Sequence, residues 1–126
     1  MTAESLALFY QALLHNPGEV WPPALLADVT GRVRNHLPDF MGVPANRTLG
    51  LIQAGDDGKS HVRGLGRTVS PRAFGHNGAG GQIAWADPES GLSLGYVTNG
   101  LDRHEIRAPR RGTAISSRAG VCAEPA

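Results

Sequence analysis

The sequence predicts an α+β domain, an antiparallel β-sheet flanked by helices. Two patterns lead there. The segment before Gly31 carries apolar residues at helical spacing, and Gln82 to Thr98 alternates with period two on either side of a turn. Beyond Gly100 the chain turns polar and arginine-rich, with a weak helical pattern. Helices, then strands, then a helix is the order of an antiparallel sheet covered by helices.

The first helix runs from Ala3 to His15. Thr2 is its cap, and Leu6, Phe9, Tyr10, Leu13 and Leu14 form one apolar stripe. Asn16-Pro17-Gly18 stops it. Pro22-Pro23 opens a shorter helix through Val29, closed by Gly31. Arg32 to Arg47, with two prolines and little periodicity, reads as irregular covering loop. Thr48 to Ala54 reads as a strand, followed by the turn residues Gly55-Asp56-Asp57-Gly58. Val62 to Arg72 is rich in glycine and arginine and has no clear period. The next strands, Gln82–Ala86 and Leu92–Thr98, are joined through Asp87-Pro88-Glu89-Ser90-Gly91 as a hairpin. Ile106, Thr113, Ala114, Ser117 and Val121 suit a last helix, with an interruption expected at Pro109.

The 126 residues fit one modest domain or part of a larger one. A formal net charge of +1 offers no electrostatic argument for nucleic acid or an acidic membrane surface. Cys122 is the only cysteine, so no internal disulfide and no oxidising compartment is implied. No apolar run has membrane-spanning length. The start lacks the basic leader and cleavage site of a signal peptide, so a cytoplasmic location is expected.

Chemistry is concentrated where Gly75, Gly78, Gly80 and Gly81 surround His76-Asn77. A phosphate loop would place such glycines before a helix, whose amides and dipole hold the anion. Here an alternating strand follows, and there is no G-K-[ST], so no nucleotide cofactor is expected. Two readings of the residues stay open: a crossing where glycine lets two strands approach, and a backbone edge offered to a reacting group.

The stretch from Phe74 to Asn99, FGHNGAGGQIAWADPESGLSLGYVTN, resembles the third active-site motif and following hairpin of the β-lactamase/penicillin-binding-protein superfamily of serine hydrolases. It is most similar to the class C β-lactamase-like esterases. That family has a Lys-Thr-Gly triplet, or H-x-G or W-x-G in esterases. A glycine-rich turn follows, then a strand ending in D/N-P and a second ending in T/A-N. The counterparts here are His76-Asn77-Gly78, Asp87-Pro88 and Thr98-Asn99, and the opening helix LALFYQALL resembles the one the family places ahead of the motif. The resemblance implies the C-terminal portion of a β-lactamase-like fold, with residues 1–31 helical, 48–100 the sheet and 101–126 a C-terminal helix and tail. It implies a small-molecule carboxylic ester as substrate of the intact enzyme, cleaved through an acyl-serine. His76, Asn77, Gly78 and Ala79 would form the substrate and oxyanion wall, with the Ala79 amide as donor. His76 in place of lysine turns a fixed cation into an imidazole, and Asn77 replaces threonine, so a neutral ester is expected. The family's sheet is completed by N-terminal strands, so a complementing N-terminal half is implied as partner.

Acyl transfer in this family requires S-x-x-K, whose spacing puts serine and lysine on one helix face. The only lysine is Lys59, and Asp56 precedes it by three. Neither Tyr10-Gln11-Ala12 nor Tyr96-Val97-Thr98 makes Y-x-N. The nucleophile is absent, and the chain alone is expected to be inactive. A non-catalytic remnant or interaction module with the same sheet is the alternative, and a small ligand-binding domain using the glycine turn ranks last. His15, His36, His61 and His104 show no ligand spacing, so no metal is expected. Cys122 is expected to pack as a small apolar residue, and Trp85 to lie in the core. Arg103, Arg107, Arg110, Arg111 and Arg118 are expected on a solvated helix face.

Overall fold

The computed structural model describes residues 1–123; the last part of the expected C-terminal tail, 124–126, lies outside the described residues. The described elements in chain order are α1 (Ala3–His15), a short 3-10 turn (Pro17–Glu19), α2 (Pro23–Gly31), β1 (Ile52–Gln53), β2 (Phe74–Asn77), β3 (Ile83–Asp87), β4 (Leu92–Tyr96) and α3 (Arg107–Ala119). The strands form one antiparallel sheet in the order β1-β2-β3-β4. This is the α+β architecture that the periodicities predict.

The helices lie on opposite faces of the sheet. On one face Tyr10, Leu6, Leu13 and Leu14 of α1 bury Phe74, Ala84 and Ala86, and the Tyr10 ring stacks on Phe74 at 6.3 Å between centroids. This core is thin because α1 comes within backbone contact of β4. A Cβ added at Gly95 would stand 2.3 Å from the Ala3 carbonyl oxygen. Ser93 Oγ donates to the Ala7 carbonyl beside it, at 2.9 Å. The other face gathers Ala54, Leu65, Ala73, Ile83 and Trp85, with Leu92, Leu94, Tyr96 and Ala119 around them. Trp85 is fully buried, as expected, and its indole donates to Ser116 Oγ of α3 at 3.2 Å. β3 is buried along its whole length because helices and neighbouring strands enclose it on every side. At its end, buried Asp87 accepts from the Ser70 amide (2.8 Å), the Ser70 hydroxyl (2.5 Å) and the Glu89 amide (3.0 Å).

Three expectations are corrected. The strand expected over Thr48–Ala54 pairs only at Ile52–Gln53, because Gly50 takes φ +91° and a turn closes from the Thr48 amide to the Leu51 carbonyl. α3 is not interrupted at Pro109. That proline occupies the third helical position, where the missing N–H has no partner to lose. Cys122 does not pack; its thiol is exposed beyond α3 and donates to the Arg118 carbonyl at 3.3 Å.

The segment expected as irregular loop is a protruding arm. Asn35 bridges Arg47, Pro38 bridges Pro44, and Arg47 bridges Ile52 of β1. At the tip, Asp39 Oδ1 accepts from the Met41 amide at 2.8 Å, leaving Phe40 almost fully exposed. Arg63, only 4% exposed, ties the base of this arm to the sheet. Its Nε donates to the Pro44 carbonyl (2.8 Å), its Nη1 to the Ala54 carbonyl (2.6 Å), and the guanidinium forks onto Asp57.

Candidate functional site

The glycine cluster serves two geometrical purposes. Gly75 is where β2 comes closest to β3, since an added Cβ would stand 2.2 Å from the Ala84 carbonyl oxygen and 2.5 Å from Trp85 Cβ. The later glycines build a tight turn. The Gly78 amide donates to the Gln82 carbonyl (2.7 Å) and the Gly81 amide to the Gly78 carbonyl (3.1 Å), with Gly81 at φ +94°. The crossing reading of the cluster therefore has a place at Gly75, and the edge just beyond it is exposed.

The four residues singled out from the motif lie together. His76, Asn77, Gly78 and Ala79 are all exposed, at the end of β2 and the start of the turn. Pairing of His76 with Ala84 puts the imidazole on the α1 face, and Asn77 points to the opposite face. There its side chain fills the space beside Gly64, where an added Cβ would stand 2.7 Å from Asn77 Cγ. Among the described residues nothing accepts a hydrogen bond from the Ala79 amide.

Several contacts around this turn escaped the sequence reading. Gln82 Nε2 donates to Thr98 Oγ1 at 3.1 Å, and that hydroxyl donates to the Gly100 carbonyl at 2.9 Å, so Thr98 braces the turn from behind. Asp102 lies farther along the same loop. It accepts from Arg107 Nε and Nη2, each at 3.0 Å, and from Arg111 Nη1 at 3.2 Å. The Arg107 guanidinium, first among its neighbours, holds the Asp102 carboxyl far below the usual carboxylate range. Arg107 and Arg111 therefore do not simply form a solvated helix face: Arg111 Nη2 lies within 3.0 Å of where a Gly81 Cβ would stand. Arg110 and Arg118 are exposed on α3, as expected, whereas Arg103 is exposed but precedes the helix. Their i, i+4 spacing puts Arg107 and Arg111 on one helix face, but the carboxylate they meet was invisible to periodicity.

Arg47 was also missed. Its Nη1 donates to His76 Nε2 at 3.4 Å, while His76 Nδ1 donates to the Asn77 carbonyl at 2.5 Å. The lysine-to-histidine change in the triplet thus leaves a fixed positive charge nearby, carried by the 35–47 arm. No local signal could have found it, because the contact spans twenty-nine residues of sequence.

Elsewhere, a groove of about 490 Å³ lies between α1, α2 and the start of β2, lined by Leu13, Leu14, Leu26 and Phe74 among others. Among the described residues no three His, Cys, Asp or Glu side chains gather as metal ligands. No helix among them is long and apolar enough to cross a membrane.

Comparison with known proteins agrees with this arrangement. The family model described as Beta-lactamase matches residues 1–117. The chain is 38% identical over 106 residues to Esterase/beta-lactamase LipL of Mycobacterium tuberculosis (strain ATCC 25618 / H37Rv), covering 79% of this chain and 22% of that protein. Its fold is similar to the crystal structure of a beta-lactamase (Mb2281c) from Mycobacterium bovis, with a TM-score of 0.69 and 27% identity, over 90% of this chain and 41% of the other. The chain thus spans less than half the length of either relative.

Proposed function

Because the chain belongs to the beta-lactamase family, we propose that it is the C-terminal portion of a serine hydrolase and supplies the oxyanion and substrate wall of its active site. The intact enzyme cleaves carboxylic esters through an acyl-serine. The nucleophile and its lysine come from polypeptide outside these residues, as a complementing N-terminal half. Preorganised amide donors are worth about 3 kcal/mol of barrier when aimed at the developing oxyanion. The observation that carries the reading is the amide of exposed Ala79, unbonded among the described residues, just past the family's motif strand in a chain with no S-x-x-K. Esterase activity comes to this reading from the name of the Mycobacterium tuberculosis relative.

The test is hydrolysis of a short-chain p-nitrophenyl ester by the isolated chain and by the chain joined to its upstream coding sequence. The isolated chain is expected to be inactive and the joined protein active. Upstream DNA that encodes neither S-x-x-K nor Y-x-N in any frame would overturn the proposal. A joined protein that folds but does not hydrolyse the ester would favour the interaction-module reading instead.

A further inference from the structure

His61 plays no part in the acyl-transfer reading, yet it sits in a turn that touches the wall. The turn is closed by its own backbone. The Val62 and Arg63 amides donate to the Lys59 carbonyl at 2.9 and 3.2 Å, the Gly64 amide to the His61 carbonyl at 3.2 Å, and the Leu65 amide to the Ser60 carbonyl at 3.0 Å. Ser60 Oγ clasps it from inside, donating to the Gly66 carbonyl at 2.6 Å. Gly64, at φ +87°, lies directly against the Asn77 side chain: an added Cβ would stand within 2.9 Å of Asn77 Cβ, Cγ and Nδ2 alike. In the same turn Arg63 holds the arm through the Pro44 carbonyl. One short segment therefore supports both the triplet and the arm whose Arg47 meets His76.

Inside this segment the imidazole is half-buried, and its Nδ1 has no hydrogen-bond partner among the described residues. A neutral ring can leave one lone pair unused there. A protonated ring would carry an N–H at Nδ1 with no acceptor, together with a charge taken out of water. The closed turn thus holds His61 neutral, through burial first and then through the positive charges of Arg67 and Lys59. No carboxylate is among the groups acting on the ring, and the Gly58 backbone alone favours the proton. Linkage makes the effect mutual: a turn that disfavours the proton is disfavoured by it. The folded-state pKa lies below the ordinary 6.5, so the closed turn is fully favoured above 6.5 and loses favour as pH falls through the lowered value.

We propose that His61 is a positioning residue of the wall and that the 59–66 turn is a proton-operated support: neutral His61 keeps Asn77 seated, and protonated His61 opens the turn and withdraws that seat from the His76-Asn77-Gly78 triplet. The charged ring moves to water, where Nδ1–H is satisfied, and Gly64 moves off Asn77. The Asn77 carbonyl accepts from His76 Nδ1 at 2.5 Å, so the change reaches the motif. The consequence for ester hydrolysis rests on the reading of this edge as a substrate wall; the coupling between His61 and Asn77 does not.

The test is an NMR titration of the whole chain, without substrate, from about pH 7.5 to about pH 4.5. Asp57 stays ionised throughout, because the Arg63 hydrogen bond lowers its pKa to about 2. Two signals are followed: the His61 ring protons, and the Overhauser contact between Gly64 Hα and Asn77 Hβ. The contact is expected at the upper pH and is expected to be lost with the His61 midpoint, below 6.5. His76→Gln removes the titrating ring beside Asn77 and should leave that loss in place. His61→Gln takes up no proton and should keep the contact across the whole range. A contact that persists after His61 has titrated, a loss that survives His61→Gln, or a loss that disappears in His76→Gln would each overturn the proposal. Should His61→Gln fail to fold, the wild type and His76→Gln still decide. Because no turnover is read, failure of this coupling and failure of the ester-hydrolase reading remain separable.

Discussion

Removing the Arg63 guanidinium tests how the arm that carries Arg47 is held to the sheet. In Arg63→Met the buried stem is kept and the charged fork is lost. The fork satisfies the Ala54 carbonyl at 2.6 Å, the Pro44 carbonyl at 2.8 Å and the Asp57 carboxylate. Ala54 is fully buried, so its carbonyl would be left without a donor, a loss of about 1–3 kcal/mol. Breaking a buried ion pair by deleting one partner costs about 3–5 kcal/mol. The Asp57 side chain is 36% exposed and regains water, so the lower end applies here. The expected loss is about 3 kcal/mol, a large share of the roughly 5–15 kcal/mol that holds a domain together. Urea unfolding followed by tryptophan fluorescence measures it, with the slope unchanged. Asp57→Asn should cost less, about 1 kcal/mol, because it leaves both carbonyl bonds intact. A loss under about 1 kcal/mol in Arg63→Met, or a larger loss in Asp57→Asn, would refute the reasoning.

Gly95→Ala should destabilise by about 2 kcal/mol in the same assay, since the new Cβ would stand 2.3 Å from the Ala3 carbonyl oxygen and force α1 away from β4; a neutral result would show that the helix has room to move. Ser116→Ala leaves the buried Trp85 N–H without its acceptor and should cost about 1–2 kcal/mol, whereas Ser116→Thr, which keeps a hydroxyl, separates that loss from steric effects. Acid titration of stability should show two separate declines. Burial, reinforced by Arg67 and Lys59, lowers the His61 pKa below its ordinary 6.5, so its contribution is full above that value and is lost as pH falls through the lowered one. The Arg63 hydrogen bond lowers the Asp57 pKa from 3.8 to about 2, so that contribution holds above 3.8 and fades as pH falls through about 2. His61→Gln should abolish the first decline and leave the second; persistence of both would assign the first to another group.

The parts of this molecule legible from sequence share one property: their signals are local. The α1 stripe from Leu6 to Leu14 and the alternation of Gln82–Ala86 and Leu92–Thr98 lie within single periodic windows, and the structure has a helix and a hairpin there. The exposed run His76 to Ala79 was found through a contiguous motif. Misjudged features depended on position within an element. Gly50 adopts φ +91° and cuts short the strand before β1, and Pro109 is harmless because it falls in the first turn of α3. Cys122 is exposed because it lies past the end of α3, beyond the stripe that would have buried it.

The periodicity of neighbouring residues was enough to specify an antiparallel sheet between helices, because burying a stripe or an alternating face is a demand each segment makes alone. The charge beside the motif was decided only by tertiary packing. Arg47 reaches His76 across twenty-nine residues, and Trp85 finds Ser116 across thirty-one. Such pairings exist only when separate segments are laid side by side, and nothing in the order of adjacent residues encodes which side chain will stand opposite which.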